Sequence, residues 1–332
     1  MSNKVSDEDR LAIPWYGPEA LRKLDEFNPD VVHIQTEFTI GAMGRRYSRR
    51  RGIPVLSTCH THYEMYIKEY LPLLPEVLAR KTIRGWLRSV YAHDDLIIAP
   101  SRNIRDVMRG YGIDREYVVI SNGVDERIFH PYPLEAREFR KKLAEGHAGF
   151  DEGRLLVYVG RLRQEKNLDL LADAMVRVFR EEPDTHLLMV GEGSRKAELE
   201  DFFRHHGLED KVAWSGYMPR AQLAIVYSAA DIFVFPSKTE NNSLVTIEAM
   251  LCGTPVVGVN RMGTAEILEG DLGGFLAEDD AEDFADKILS LLRDPTLLAA
   301  KSAEALQHSQ HWTIGNSCDQ MERIYERLFG IA

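Results

Sequence analysis

The sequence predicts an α/β protein built from two doubly wound, Rossmann-like domains. Short apolar, β-branched runs alternate with amphipathic helical patterns along most of the 332 residues. Such alternation is typical of parallel sheets with right-handed crossovers. Most of the runs are apolar on both faces, as in buried parallel strands. The length exceeds that of an ordinary single domain, so we expect two.

The elements follow one another in a regular order. The predicted strands cover residues 31–36, 55–60, 96–101, 118–122, 155–160, 186–191, 212–215, 232–236 and 256–259. The predicted helices cover residues 78–92, 102–111, 167–181, 194–206, 220–229, 244–252 and 281–293. The segment 129–152 interrupts this order with prolines, glycines and charges, and we interpret it as a linker.

The linker divides the chain into a first domain over 1–140 and a second domain over 141–315. A terminal helix over 316–332 can cross back to the first domain. No predicted strand precedes residue 31, so the first domain has about four strands, whereas a doubly wound domain usually has about six. The run 31–36 would be an unpaired apolar edge, which proteins normally avoid. We therefore expect a truncated first domain, or a partner or second copy of the chain that covers this edge.

The charge distribution bears on the partners of the protein. The formal net charge is −11, which argues against nucleic-acid binding by the molecule as a whole. Residues 41–110 nevertheless carry thirteen Lys or Arg against six Asp or Glu, including Arg80, Lys81, Arg84 and Arg88. Such a basic face suits an anionic partner, and a solvated helix face is the alternative.

Composition also predicts a cytoplasmic protein without a bound cofactor. The three cysteines are widely spaced, as expected in a reducing compartment, and they match no disulfide or zinc pattern. Residues 1–30 contain no apolar segment of the kind that a signal peptide needs. No run of about 18 apolar residues occurs, so no transmembrane helix is expected. No cluster of His, Cys, Asp and Glu has metal-ligand spacing, so we expect no metal.

Basic side chains follow the predicted strand at 155–160. The sequence LLVYVGRLRQEK over 155–166 brings Arg161 and Lys166 to the loop and helix start after an apolar strand. Free N–H groups at a helix start favour anions, and a guanidinium with an ammonium matches a diphosphate. A neighbouring strand ends at Gly191, where glycine lets a ligand approach the backbone. The alternative is that Arg161 and Lys166 are solvated surface cations.

Two glutamates flank a polar loop in the segment SKTENNSLVTIEAM over 237–250. Glu240 precedes a predicted helix and Glu248 lies inside it, and both carboxylates could accept hydrogen bonds from sugar hydroxyls. The alternative is that Glu240 complements the helix dipole and that Glu248 is solvated. In the first domain, His60 ends a buried strand, where α/β proteins place site residues, although a lone histidine there is more often structural.

The order of these motifs resembles that of the retaining GT-B glycosyltransferases of group 1, family 4. The likeness extends from about Asp30 to the C-terminus. The motifs that carry it are PDVVH at 29–33, HT at 60–61, APS at 99–101, NGVD at 122–125, GRL at 160–162 with EK at 165–166, GEG at 191–193, the two glutamates, and GTPVV at 253–257. The resemblance implies two Rossmann-like domains that face each other.

The resemblance also implies a role for each motif. Arg161 and Lys166 would hold the diphosphate of a nucleotide-sugar, and Glu248 would hold its ribose. His60 would contact the sugar near the reacting carbon. The remaining roles concern the hexose, held by Glu240 and the amides of Asn241, Asn242, Ser243 and Leu244, and the nucleobase pocket, lined by Tyr217, Met218 and Gly191.

The mechanism implied by these roles needs no metal. The nucleoside diphosphate would leave while Arg161 and Lys166 neutralise its growing charge. The acceptor hydroxyl would then attack on the same face and retain the configuration of the sugar. Glu240 would stabilise the sugar and its charge, and would not act as a nucleophile.

A narrower resemblance is to the bacterial diacylglycerol glucosyltransferases. It is carried by QTEFTIG at 35–41, HTHYE at 60–64 with Tyr66 and Tyr70, and PSKTE at 236–240. It implies UDP-glucose as the favoured donor, a membrane-lipid acceptor and contact with the inner face of an anionic membrane through the basic segment 80–88. The alternatives are a soluble-acceptor synthase or epimerase, and a truncated, non-catalytic nucleotide-binding module. The usual glycine after the first glutamate is replaced in the run Asn-Asn-Ser, so we expect an altered sugar preference.

Overall fold

The chain folds into two compact units, each formed around its own parallel sheet. The computed structural model describes residues 3–4, 10–11, 17–66 and 74–329. One unit comprises residues 1–121 and 319–332, and the other comprises residues 122–318. The first division therefore falls after Ser121, earlier in the chain than the boundary predicted after residue 140.

Within its described ranges, the first unit contains a small antiparallel pair and a four-stranded parallel sheet. The pair is β1 (Asn3–Lys4) with β2 (Arg10–Leu11), and the sheet places β3 (Val32–Ile34), β4 (Val55–Thr58), β5 (Leu96–Ala99) and β6 (Tyr117–Val119) side by side in that order. Its helices are α1 (Gly17–Phe27), α2 (Thr39–Arg51), α3 (Glu76–Tyr91) and α4 (Arg102–Gly110). A short 3₁₀ helix covers Tyr63–Tyr66.

The second unit, whose residues are all described, is built on six parallel strands. These are β7 (Arg154–Val159), β8 (Thr185–Val190), β9 (Val212–Gly216), β10 (Ile232–Phe235), β11 (Val256–Val259) and β12 (Gly274–Ala277), and they lie in the order β12-β11-β10-β7-β8-β9. The strand order reverses at β7 and β10, so the carboxyl ends of these two neighbours flank the crevice where such sheets bind ligands.

Helices surround the second sheet and continue to the end of the described chain. They are α5 (Pro133–Ala144), α6 (Leu168–Glu181), α7 (Lys196–His205), α8 (Arg220–Ala229), α9 (Leu244–Leu251), α10 (Met262–Ile267), α11 (Ala281–Arg293), α12 (Pro295–His308) and α13 (Ile314–Phe329). The 3₁₀ helices are Gln164–Lys166, Glu209–Lys211, Glu269–Asp271 and Ser309–Trp312. Asp280 and Asp294 begin α11 and α12, because each carboxylate accepts two backbone N–H groups of the first turn.

Burial explains why the strands are predictable from apolar runs. Val157, Phe233 and Val257, from three neighbouring strands of the second sheet, are fully buried. In the first unit, Leu56 and Ile98 pack with Ile324 of α13. Residues of the terminal helix therefore complete the core of the first unit.

Two expectations about the path of the chain are wrong. The segment 129–152 is not a linker, because α5 forms within it and Phe129 and Phe150 are fully buried in the core of the second unit. Its prolines include Pro133 in the first turn of α5, where the missing N–H costs nothing. Strands also precede residue 31, although β1 and β2 are separate from the parallel sheet. Among the described strands, β3 pairs with β4 alone, so it does lie at a sheet edge.

Candidate active site

The loops after β7 and β8 pack directly on each other at the carboxyl end of the second sheet. The amide of Leu162 donates to the Glu192 carbonyl at 2.8 Å. Gly191 has φ +136°, and a Cβ there would overlap the Gly160 carbonyl oxygen. This close backbone packing requires glycine at position 191 whatever ligand binds nearby.

Lys166 and Glu240 form the polar centre of this edge. The Lys166 ammonium is ion-paired with Glu240 Oε1, and the two side chains are 13% and 20% exposed. The Ser237 hydroxyl donates to the same oxygen at 3.0 Å. Lys166 is thus mostly buried, and the alternative of a solvated surface cation is wrong for it.

Arg161 lies in the same loop as Lys166 but is more open. Its guanidinium is 58% exposed and lies 3.5 Å from Glu165 Oε1, an exposed pair that contributes little to stability. The backbone carbonyl of Arg161 accepts the Tyr158 hydroxyl at 3.1 Å, which anchors the loop. The part of the exposed Arg161 guanidinium in binding a diphosphate stays a prediction.

The backbone of Gly263 packs against the loop between β10 and α9 and forms a hydrogen bond with it. The amide of Gly263 donates to the Glu240 carbonyl at 2.7 Å, and a Cβ at this glycine would press on the carbonyl oxygens of Glu240 and Asn241. Asn241 Oδ1 is buried and has no hydrogen-bond partner among the described residues. An acceptor of this kind could receive the proton of a ligand hydroxyl.

The Ser243 hydroxyl and the Leu244 amide, in the rest of this loop, form hydrogen bonds within the protein. Ser243 is fully buried, and its hydroxyl lies 2.7 Å from that of Thr246 in the first turn of α9. The amide of Leu244 donates to the Asn242 carbonyl at 2.9 Å. The side chain of Ser243 therefore faces the core, and the loop surface is formed by its neighbours.

Glu248 is a buried carboxylate on α9. It is 6% exposed, accepts the Arg220 guanidinium at 3.2 Å and accepts the Tyr227 hydroxyl at 3.3 Å. Burial raises the pKa of Glu248 to about 7, although Arg220 and Tyr227 favour its charged form. The alternative of a solvated helix residue is wrong. Sequence reasoning missed Arg220 and Tyr227, although their spacing of seven residues would place both on one face of α8.

Tyr217 and Met218 follow the edge strand β9. The Tyr217 side chain is 75% exposed. Met218 packs against the core and lines an apolar cavity of about 420 Å³ between α5, α8 and β9, together with Phe139, Leu143 and Trp214. Their place after a strand end is compatible with a nucleobase pocket, which stays a prediction.

His60 follows β4 in the first unit and is exposed. Its Nε2 atom lies 2.7 Å from Gln35 Oε1. Partial desolvation of the imidazole lowers its pKa, against the opposing effect of the Glu37 carboxylate. His60 is thus a surface histidine held by a neighbouring amide, which differs from a histidine satisfied inside a core.

The basic helix α3 presents a mixed surface. Arg80 and Arg84 both form ion pairs with Glu64, at 2.9 and 2.5 Å. Lys81 and Arg88 are exposed. Leu74, two residues before α3, and Val77 and Leu78 in its first turn are also exposed, by 38%, 83% and 48%. The surface therefore combines apolar side chains with fewer unpaired cations than the sequence suggested. Tyr70, which belongs to the narrower resemblance, lies outside the described residues.

Comparison with known families identifies the family of the chain. The family model of glycosyl transferases group 1 matches residues 139–308, a little more than half of the chain, and the model of glycosyltransferase family 4 matches residues 3–127. The chain belongs to the group 1 glycosyltransferases. The part of this glycosyltransferase that contains Lys166, Glu240 and Glu248 lies wholly inside the first match.

Two curated relatives of the chain carry names that refer to different compounds. The chain is 29% identical over 281 residues to an alpha-monoglucosyldiacylglycerol synthase of Streptococcus pneumoniae, covering 82% of this chain and 61% of the relative. It is 30% identical over 313 residues to D-inositol 3-phosphate glycosyltransferase 2 of Catenulispora acidiphila, covering 90% of this chain and 70% of the relative. The chain thus spans about three fifths of the length of the pneumococcal relative.

Solved structures agree on the fold of this glycosyltransferase. Anabaena HepE in complex with UDP matches it with a TM-score of 0.79 at 21% identity, covering 94% of this chain and 82% of HepE. The same protein has been solved with UDP-glucose. The predicted fold class, α/β with two doubly wound domains of the GT-B type, is confirmed.

Two further observations concern the described part of this glycosyltransferase. No group of three or more His, Cys, Asp or Glu side chains there could hold a metal ion. No helix in those ranges combines the length and the hydrophobicity that crossing a bilayer requires.

Proposed function

We propose that this chain is a retaining, metal-independent hexosyltransferase that moves glucose from UDP-glucose to a hydroxyl group of a membrane glycerolipid. The observation that carries the proposal is the mostly buried Lys166–Glu240 ion pair at the carboxyl end of the second sheet, with the open guanidinium of Arg161 in the segment that follows the same strand, β7. The two cations Arg161 and Lys166, at the carboxyl end of a parallel sheet, suit a diphosphate leaving group.

Different residues of the second unit would bind different parts of the nucleotide-sugar donor. Arg161 and Lys166 would neutralise the charge that develops on UDP as the glycosidic bond breaks, so that no metal or cofactor is required. Glu248 would accept hydrogen bonds from the ribose hydroxyls. Glu240 and Asn241 would hold the hexose. The complexes of HepE with UDP and UDP-glucose support this class of donor.

The lipid acceptor is supported by the surface of the first unit and by the pneumococcal relative, named as an alpha-monoglucosyldiacylglycerol synthase. Leu74, Val77 and Leu78 could enter the interfacial region of a bilayer while Lys81 contacts anionic headgroups. Peripheral attachment of this kind would bring the enzyme to the inner face of the membrane, where UDP-glucose is available.

The direct experiment is glucose transfer from UDP-glucose to diacylglycerol in anionic vesicles, in the presence of a metal chelator. Formation of an α-linked glucolipid is expected, and absence of any glucolipid would refute the lipid acceptor. In parallel, Val77→Ser/Leu78→Ser should weaken vesicle flotation. Leu134→Ser is the matched control, since Leu134 is 71% exposed but belongs to α5 of the second unit.

A soluble acceptor is the second candidate function. It is favoured by the relative from Catenulispora acidiphila, named as an inositol phosphate glycosyltransferase, which matches over a larger share of its own length. Competition between diacylglycerol vesicles and inositol phosphate for labelled UDP-glucose separates the two. If the chain bound UDP by calorimetry but transferred and hydrolysed nothing, a non-catalytic nucleotide-binding module would be the remaining interpretation.

A further inference from the structure

One carboxylate joins the segments that follow three strands of the second sheet. Asp279 lies just after the edge strand β12. Its Oδ1 atom accepts the side-chain amide of Asn167, in the segment after β7, at 3.0 Å. Its Oδ2 atom accepts the ammonium of Lys238, in the loop after β10, at 2.9 Å. We call Asp279, Asn167 and Lys238 the loop clamp; all three residues belong to the second unit.

The loop clamp extends from the edge of the sheet to its centre. The strand order is β12-β11-β10-β7, so Asp279 and Asn167 follow strands that are three positions apart. Neighbouring strands lie about 4.8 Å apart, which separates these two strands by roughly 14 Å. The two segments therefore bend toward each other over the carboxyl edge of the sheet, and the contact between their side chains fixes one segment relative to the other.

Asn167 is the member of the loop clamp that lies nearest to Lys166 in the chain. It directly follows Lys166, and its backbone has φ +57°, a conformation that asparagine tolerates better than most residues. Its Nδ2 group donates to the Pro236 carbonyl at 3.2 Å as well as to Asp279. Because both partners can only accept, each receives one N–H of the amide. The Asn167 side chain therefore anchors the turn that carries Lys166.

Lys238 connects the loop clamp to the loop that carries Glu240. It lies two residues before Glu240, and its ion pair with Asp279 is partly open, with 39% and 30% of the two side chains exposed. The hydrogen bond from Lys238 lowers the pKa of Asp279, against desolvation and with a further contribution from Asn167. Asp279 thus contacts both of the segments that meet in the ion pair between Lys166 and Glu240.

We propose that Asp279 is a positioning residue for the donor diphosphate, because it holds the turn that carries Lys166 and the loop that carries Glu240 in one arrangement. Lys166 contacts the diphosphate, and Asp279 acts on Lys166 through Asn167. This inference rests on the proposed use of a nucleotide-sugar donor. It adds to the donor site a residue that follows an edge strand and has no contact with the donor itself.

The sign of the effect on UDP binding separates positioning from charge. Asp279 is negative, so its removal, which also frees Lys238, would by itself favour the binding of an anion. Loss of positioning has the opposite effect, and Asp279→Ala should therefore raise the Kd for UDP about fivefold in calorimetry, the effect of roughly one hydrogen bond. Asp279→Asn removes the same charge but keeps an oxygen for Asn167, and should restore the affinity to within about twofold of wild type.

A second substitution shows whether the effect passes through Asn167. Asn167→Gly removes the amide while glycine accommodates the positive φ, and it should raise the Kd for UDP about tenfold. Adding Asp279→Ala to this variant should cause no further loss, because contacts that act through one another are not additive. Glu304→Ala is the matched control and should leave the Kd unchanged. Glu304 binds Lys301 at 2.9 Å and accepts the amide of Gly273, at the opposite end of β12.

Chemical labelling of lysines tests the loop clamp without any ligand. Lys166 and Lys301 are similarly buried, with 13% and 12% of the side chain exposed, and each is ion-paired with a glutamate. In reductive methylation followed by peptide mass spectrometry, Asp279→Ala should raise the labelling rate of Lys166 severalfold and leave that of Lys301 unchanged. The melting temperature should stay within about 4 °C of wild type, as expected for the loss of an exposed ion pair.

Several results would overturn the proposal. These are an unchanged labelling rate of Lys166 in Asp279→Ala, equal or tighter UDP binding by this variant, and equally weak UDP binding by Asp279→Asn. Because the labelling needs no ligand, it reports on the loop clamp independently of the donor. A wild-type protein that shows the expected labelling but binds no UDP would instead refute the proposed donor, and with it the role of Asp279 toward a diphosphate.

Discussion

The Lys166 ammonium is ion-paired with the Glu240 carboxylate, although the two residues lie 74 positions apart in the chain. They meet because β7 and β10 are neighbours in the sheet and each residue lies in the loop after its strand. The pair keeps both charges compensated when no donor is bound. A diphosphate that binds to Lys166 must therefore share the ammonium with Glu240.

Lys166→Ala should abolish most of the affinity for UDP. The substitution removes a charge-assisted contact to the diphosphate and leaves Glu240 as an uncompensated negative charge beside it. We expect a loss of roughly 2–3 kcal/mol, or about 30–150-fold in Kd measured by calorimetry. Lys301→Ala is a matched control, since Lys301 is 12% exposed and ion-paired with Glu304 at 2.9 Å. Equal losses in both variants would contradict a role for Lys166 in binding.

Glu240→Gln should separate nucleotide binding from hexose transfer. Without the carboxylate, Lys166 is freed from its ion pair, so the affinity for UDP should be unchanged or a few fold higher. Transfer should fall by about 10²-fold, because charge on the sugar is no longer stabilised at the reacting centre. Calorimetry with UDP and initial rates with UDP-glucose test the two parts. A parallel loss of UDP affinity would show that Glu240 serves the diphosphate.

Glu248 should make stability depend on pH. Its pKa is about 7 in the folded protein, above the ordinary value of 4.5. Between pH 4.5 and pH 7 the folded state therefore keeps a proton that the unfolded state has released. The contribution of Glu248 to the free energy of unfolding falls by roughly 3 kcal/mol as the pH rises across this range. Glu248→Gln lacks this fall. The difference in the free energy of unfolding between wild type and variant, measured by denaturant unfolding, should thus grow from pH 4.5 to pH 7 and level off above pH 7.

The same titration should appear in donor binding. Ribose hydroxyls are donors, and an ionised Glu248 accepts from them better than a protonated one. The affinity of the wild type for UDP should therefore rise between about pH 6 and pH 8, beyond any rise seen in Glu248→Gln. Because the phosphates of UDP titrate identically in both experiments, their contribution cancels. Identical pH profiles would exclude Glu248 from the ribose site.

The placement of Lys166 and Glu240 at one edge of the sheet was predictable because both residues follow strand ends, and parallel strands bring their carboxyl ends to one edge. The roles of Lys166, Glu240 and Glu248 toward a donor stay predictions. The supporting partners of these residues were not predictable, because Arg220 reaches Glu248 from 28 positions earlier and no local pattern records such a contact. The same holds for Gln35 and His60, which are 25 positions apart.

The sequence did not predict helices α2 and α5, because the residues that they bury do not form an apolar stripe with helical spacing. The buried positions of α2 are Gly41, Gly44, Arg45, Tyr47 and Ser48, so its inner face does not look apolar. Arg45 is buried because it pairs with the fully buried Asp94 at 2.9 Å and donates to Ser57. In α5, prolines and charges concealed a helix whose Ala136 packs inward. Tertiary contacts, which a single sequence does not report, decide both cases.

Ser243→Ala should test whether this position selects the sugar. Relatives were expected to carry glycine here, and an altered hexose preference followed from that expectation. The hydroxyl instead bonds that of Thr246 inside the core. We expect a loss of about 1 kcal/mol in stability and an unchanged ratio of kcat/KM values for UDP-glucose and UDP-galactose. A changed ratio would show that Ser243 acts on the sugar from beneath the loop.

Asn241→Ala should weaken transfer without weakening the fold. The buried Oδ1 atom of Asn241 lacks a partner in the described chain, so its removal relieves a desolvation cost in the free protein. The melting temperature should therefore be unchanged or slightly higher. If a hexose hydroxyl is the missing donor, kcat/KM for UDP-glucose should fall by about 5–30-fold, while the Kd for UDP, which lacks the hexose, stays the same. Val245→Ala, at the first turn of α9, serves as a control for loop disturbance. A lower melting temperature with unchanged kcat/KM would make Asn241 a structural residue and leave the hexose to Glu240.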